Sequence, residues 1–183
     1  MTETNQNEFI ETIRPQSAAE LTDFFRMMRK EKTRVVVLIV ENSLEIYQSF
    51  DESVKNSGIP VILALKFSAG EKLVDACHLC IASPAAQIGE LCAADALKSG
   101  LINKITHSEE VEAEAFALAA KISELAPLAI RACLKAVTEG LNSSLEEGLK
   151  IETELFAQIF STADMREGTR AFLEKRKPVF SGK

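Results

Sequence analysis

Residues 59–83 read IPVILALKFSAGEKLVDACHLCIAS: an aliphatic run, a short turn around Gly70 with an acid beside a base, then a second apolar run. Short continuous aliphatic runs separated by helical segments are the pattern of parallel strands covered on both faces. The pattern recurs along the first half of the chain. RVVVLIV (34–40), VILALK (61–66), HLCIAS (78–83) and LINKI (101–105) read as buried strands, so this half is predicted to be α/β. In such folds chemistry gathers where buried strands end, which draws attention to FSAGEK (67–72).

Helical spacing frames these strands. In SAAELTDFFRMMR (17–29), Leu21, Phe24, Phe25 and Met28 share a face, and Ser17 with Glu20 has the form of a capping box. After Ser108 the pattern is helical throughout. Val111, Ala115, Leu118, Ile122 and Leu125 form one stripe that stops before Pro127, and Ile130, Leu134, Val137 and Leu141 form the next. A third helix opens with Ser144 and Glu147 as a capping box and carries Leu145, Leu149, Phe156 and Ile159. A fourth pairs Asp164 with Glu167 in the same way and ends before Pro178. The predicted organisation is an α/β core over 1–107 and a helical region over 108–183. The apolar stripes of that region must be covered, either by the α/β half or by a second subunit.

Composition sets the class. The chain has 183 residues, 46% hydrophobic and 26% charged, which suits a globular domain with a sizeable core. No apolar stretch reaches the roughly 18 to 20 residues of a membrane span, and MTETNQNEFIET lacks the flank and core of a signal peptide, so a cytoplasmic location is expected. The net charge of −6 argues against general nucleic-acid binding. From Ser161 onward, however, six basic residues stand against three acids, a local +3. Such an end could meet a phosphorylated ligand or form a solvated face. Cys77, Cys80, Cys92 and Cys133 lie in or beside apolar segments and read as small buried hydrophobes. CHLC (77–80) has C-x-x-C spacing, but no second cysteine pair completes a zinc site, and no metal is expected.

Several stretches then carry a resemblance: PVILAL (60–65), ACHLCIAS (76–83), AAQIG (85–89), AADALKSGLINKI (93–105) and above all SLEEGLKIETELFAQIFSTADMREGTRAFLEKRKPVFSGK (144–183). In this order they resemble the crotonase superfamily, the enoyl-CoA hydratase/isomerase family, from about Phe9 onward. The resemblance implies a spiral of ββα units, here shortened, with a helical C-terminal region that packs on neighbouring subunits as trimers or hexamers. It implies an acyl-CoA or enoyl-CoA thioester as substrate, with coenzyme A entering as part of the substrate and no separate cofactor. It also implies two backbone N–H groups holding the thioester oxygen and one or two carboxylates moving protons.

The chain departs from the family at each catalytic part. Against a G-G-G-x-E-L turn it has Ser68-Ala69-Gly70-Glu71-Lys72-Leu73, with Lys72 in the acid's position, Ala69 in that of the middle glycine and Glu71 one residue early. Against F-G-x-P-E and a long glycine-bearing loop it has Ile88-Gly89-Glu90 and then Leu91 at once. Against the F-x-A-G-x-D loop it has ENSLEIYQSFDESVKNSG (41–58). Glu71 and Glu90, each following a glycine near a strand end, are therefore the candidates for a rebuilt carboxylate pair, against the plainer reading of solvated loop acids. Ala69 and Gly70 are the candidate oxyanion donors, facing a pocket expected to be lined by Leu65, Phe67 and the Ile88 strand. Asp75, His78 and His107 read as structural or surface groups, and Gly168 as a close-packing position. Phe172, Lys175 and Lys177 resemble the segment that touches coenzyme A in the family. Two functions follow: a shortened hydratase or isomerase, or a catalytically defective scaffold that keeps the oligomerising helices, with or without a CoA-like ligand, in which Lys72 would pair with a nearby carboxylate.

Overall fold

A computed structural model of the chain describes residues 2–4, 8–28, 32–40 and 54–183, the first three through their backbone alone. Most of the loop segment 41–58, in which the sequence shows no oxyanion motif, lies outside the described residues. The elements of the α/β part are β1 (Thr2–Thr4), β2 (Ile10–Ile13), α1 (Ala18–Met27), β3 (Val35–Val40), β4 (Val61–Leu65), β5 (Ser68–Ala69), α2 (Glu71–Ala76), β6 (Leu79–Ala82), β7 (Gln87–Ile88), β8 (Leu91–Cys92), α3 (Ala93–Lys98), β9 (Lys104–Ile105) and α4 (Val111–Ser123). A six-stranded sheet runs in the order β1-β2-β3-β4-β6-β9, antiparallel at β1 and parallel elsewhere. A small sheet runs β5-β7-β8.

The aliphatic runs are continuous because both faces of the large sheet are covered. Val36, Leu38 and Val40 of β3 point to a core shared with Leu21 and Phe25 of α1 and Leu73 and Val74 of α2. Val35, Val37 and Ile39 point the other way, onto Val111, Ala115 and Ala119 of α4. All six β3 side chains are buried. Burial on this scale, at about 25 cal/mol per Å² of apolar surface, is what fixes the strand register.

Helix ends follow the sequence signals with two differences. Ser17 Oγ accepts from Glu20 N–H as expected, while the Glu20 carboxylate takes the N–H of Gln16. Pairing Asp164 with Glu167 as a capping box is corrected: Thr162 caps that helix through Met165 N–H, and both acids act elsewhere. The cysteine expectation is half corrected. Cys77, partly buried, ends α2 and Cys80, buried, lies in β6, with desolvation pushing the Cys77 thiol well up and Cys80 to about 12. Cys92 and Cys133 are exposed.

The chain divides into two compact units at Ile122/Ser123, later than the 107/108 boundary expected from composition, because α4 packs on the sheet and belongs with the first unit. The second unit holds α5 (Pro127–Gly140), α6 (Leu145–Ile159) and α7 (Ala163–Glu174). Proline opens α5, and a full capping box of Ser144 and Glu147 opens α6. The α5–α6 hairpin is close where glycine faces glycine: a Cβ added at Gly148 would stand 3.4 Å from Gly140 Cα. Beside it runs an apolar groove of about 490 Å³, lined among others by Val137, Leu141, Leu149 and Phe156, all largely exposed within the single chain.

Candidate active site

FSAGEK is folded more tightly than a simple turn. Ser68 and Ala69 form β5, Gly70 is the N-cap of α2, and Glu71 begins that helix. Ser68 and Ala69 lie beside Gln87 and Ile88 of β7, which turns back into β8 with Ile88 opposite Leu91. Gly89 and Glu90 are therefore the two turn residues of a tight hairpin. Gly89 has φ +57°, a region that glycine enters without steric cost.

This pairing brings the Glu71 side chain to the hairpin whose turn carries Glu90. A Cβ at Gly89 would stand 2.8 Å from Glu71 Oε1 and 3.0 Å from its Cγ, so the Glu71 side chain lies against the bare backbone of Gly89, next to Glu90. Both glutamates are exposed. Gln87 N–H donates to Phe67 O at 2.7 Å and Gly89 N–H to Ala69 O at 3.0 Å. Between these bonds the parallel register commits the Ala69 N–H to the Gln87 carbonyl. The Gly70 N–H lies one residue beyond the strand. Of the expected pocket walls, Leu65 and Ile88 are sealed in the core, whereas Phe67 is 56% exposed. Lys72 is exposed and forms no ion pair among the described residues.

His78 and Asp75 have structural roles. His78 Nδ1 accepts the Val61 N–H at 3.1 Å, tying the start of β6 to β4. Burial, with Lys55 nearby, holds its pKa below the usual imidazole value. Asp75 pairs with Lys55 at 3.3 Å. A charged cluster that sequence reasoning missed sits at the carboxyl ends of β2 and β4. There Glu112 of α4 takes Arg14 Nη2 at 2.7 Å and Lys66 Nζ, and these partners hold its carboxyl below the usual range.

In the second unit, Phe172, Lys175 and Lys177 are all exposed, Phe172 at 82%. Lys175 closes α7 in the left-handed region (φ 52°, ψ 40°). Arg176 N–H donates to Ala171 O and Lys175 N–H to Phe172 O, the paired bonds of a Schellman closure. The tail then returns along α7. Glu167 takes both terminal nitrogens of Arg176, at 2.6 and 2.9 Å, and the Val179 N–H at 2.9 Å. The Arg176 hydrogen bonds and then that of Val179 lower the Glu167 carboxyl to about 2. Asp164, 3% exposed, takes the N–H groups of Ser181 and Gly182. The Phe180 ring lies over Gly168, where an added Cβ would make an ordinary 3.6 Å contact, so this contact does not demand glycine.

The sequence model of the enoyl-CoA hydratase/isomerase family matches residues 80–183, more than half of the chain. The chain belongs to the enoyl-CoA hydratase/isomerase family. Among curated relatives, the "Probable enoyl-CoA hydratase echA8" of Mycobacterium tuberculosis is 42% identical over 89 residues, 49% of this chain and 35% of its own. The "Crotonyl-CoA hydratase" of Syntrophomonas wolfei is 37% identical over 89 residues, covering 49% and 34%. The chain thus spans about a third of the length of the curated relatives it matches. A solved enoyl-CoA hydratase from Bacillus anthracis superposes with a TM-score of 0.87 at 20% identity, covering 100% of this chain and 99% of that one. The Mycobacterium smegmatis enzyme superposes at 0.84 and 19% identity, covering 98% of each. The mixed α/β architecture with a helical C-terminal region is that of the crotonase fold.

The enoyl-CoA hydratase/isomerase match begins at Cys80. It therefore includes Glu90, Phe172, Lys175 and Lys177 and leaves out Ala69, Gly70 and Glu71. Among the described residues no helix is long and apolar enough to cross a membrane, and no cluster of three or more His, Cys, Asp or Glu could hold a metal ion.

Proposed function

We propose that this family member acts on enoyl-CoA or acyl-CoA thioesters, by hydration or double-bond isomerisation, with Glu71 and Glu90 as its proton carriers. The observation that supports this reading is the Glu71 side chain lying on Gly89, the residue that precedes Glu90 in the hairpin turn. One carboxylate can hold and deprotonate water while the other returns a proton to carbon; a single one can shuttle a proton between carbons. Negative charge on the thioester oxygen needs N–H donors. Because the Ala69 amide is engaged in the sheet, Gly70 N–H is the better donor of the two. Phe172, Lys175 and Lys177 would meet the coenzyme A portion, their ammonium groups suiting its phosphates.

The exposed apolar face along α5 and α6 supports self-association, which we assign to trimers or hexamers, with the helical region as the packing surface. A role in fatty acid metabolism and a cytoplasmic site complete the proposal. One observation favours a second reading, a scaffold that has lost its chemistry: both glutamates are exposed, so neither has the desolvated setting that usually tunes a catalytic acid. Turnover of crotonyl-CoA, followed by loss of the conjugated thioester absorbance, separates the two. Activity abolished by Glu71→Gln or Glu90→Gln supports the enzyme; no activity in a folded, assembled wild-type chain supports the scaffold.

A further inference from the structure

The end of α7 is fixed more firmly than an exposed tail requires. Lys175 is the one non-glycine residue with positive φ among the described residues, at a position where helices ordinarily place glycine. Its neighbour Arg176 is gripped by Glu167 through two nitrogens and by Glu174 through a third at 2.6 Å. Glu167 also holds the Val179 N–H, so one carboxylate closes the loop on both sides of Lys177. The groups this clamp presents are nevertheless wet: Phe172 is 82% exposed, and Lys175 and Lys177 are exposed with no ion pair among the described residues. Of three consecutive cations, the middle one is neutralised within the fold and the outer two are left free. An immobilised backbone that displays a free aromatic ring and two free ammonium groups is a preorganised contact surface. Such surfaces bind with less loss of side-chain and loop freedom.

We propose that Glu167 is a positioning residue for the coenzyme A contact: by clamping Arg176 and the Val179 amide it holds Lys175 in its left-handed turn and so sets the direction in which Lys175 meets the ligand. Arg176, despite lying between the two lysines, is a structural cation rather than a ligand contact. The proposal rests on the reading that Phe172, Lys175 and Lys177 touch coenzyme A, and it adds which residue makes that contact effective.

The test is calorimetric binding of free coenzyme A to the full chain and to Glu167→Gln, Lys175→Met and the double variant. Glutamine keeps a carbonyl acceptor for the Val179 N–H but loses the charged fork to Arg176. Glu167→Gln is expected to weaken binding about fivefold on its own and by less than about twofold in the Lys175→Met background, the non-additivity of residues that act as one unit. Equal weakening in both backgrounds, or none in either, overturns the proposal while leaving the coenzyme A reading in place. If wild type fails to bind coenzyme A, that reading falls and this one with it. Circular dichroism and the urea midpoint check folding. Should Glu167→Gln not fold, Arg176→Lys, which keeps the charge but not the fork, replaces it with the same expected pattern.

Discussion

The contact between Glu71 and Gly89 can be tested by adding one methyl group. Gly89→Ala imposes two separable effects. The first is backbone strain, since an L-residue in the left-handed region costs about 1–2 kcal/mol. The second is displacement: the new Cβ would stand 2.8 Å from Glu71 Oε1, and restoring an ordinary 3.4 Å contact requires the carboxylate to retreat by about 0.6 Å. That oxygen is the free end of a flexible chain, so the retreat adds at most about 1 kcal/mol as an off-rotamer penalty. Gly100 is a matched control, with φ +80° and nothing within 4 Å of an added Cβ. Gly100→Ala should therefore lose about 1–2 kcal/mol in urea melts and Gly89→Ala the same or up to about 1 kcal/mol more. They should diverge in crotonyl-CoA turnover. A sub-ångström shift of a proton-transferring group costs roughly ten- to a hundredfold, whereas Gly100→Ala should stay within about twofold of wild type. If Gly89→Ala keeps the turnover of Gly100→Ala, the carboxylate does not work from its place on the hairpin, and the argument that joins Glu71 to Glu90 fails.

Three further outcomes test the surrounding structure. Asp164→Ala leaves the Ser181 and Gly182 amides without their buried acceptor and should cost about 2 kcal/mol, read as faster proteolysis of the tail in the folded chain. The Glu167 clamp should respond to acid alone: its folded pKa lies below its unfolded value, so its contribution is present above 4.5 and is lost as pH falls through about 2. Hydrogen exchange at Val179 should follow that window. Glu112→Ala removes the carboxylate that Arg14 and Lys66 share. A loss of roughly 1–2 kcal/mol is expected in urea melts, less in high salt because the site is partly wet.

What the sequence showed depended on how many residues carried each signal. β3 was legible because six consecutive aliphatic side chains fill cores on both faces, and no other element satisfies that pattern so well. The α6 capping box has a rival of the same spacing in Ser143 and Glu146, but Ser143 Oγ donates back to Glu139 O and leaves the cap to Ser144. At α7 the same motif misled. Thr162 and Asp164 both offer a capping oxygen to residues three further on, and the choice fell to Thr162 because Asp164 is taken by amides of the returning tail. Spacing alone cannot rank two competent caps when a distant segment decides between them. The strands β5 and β8 escaped notice for a different reason, since two residues show no periodicity, and β7 was expected only as the strand at Ile88.

Those short strands nevertheless govern the candidate chemistry. Glu71 and Gly89 belong to separate segments and meet only because Ala69 is in register with Ile88, an alignment held by the bonds from Gln87 to Phe67 and from Gly89 to Ala69. Burial of Ala69 and Ile88 in the core resists any slip, because a shift of one residue would turn Ile88 toward water. The same slip would carry Gly89 from beneath Glu71 and set a side chain against its carboxylate. Placement of the two acids and packing of the small sheet are thus a single requirement, with Ile88 as its anchor.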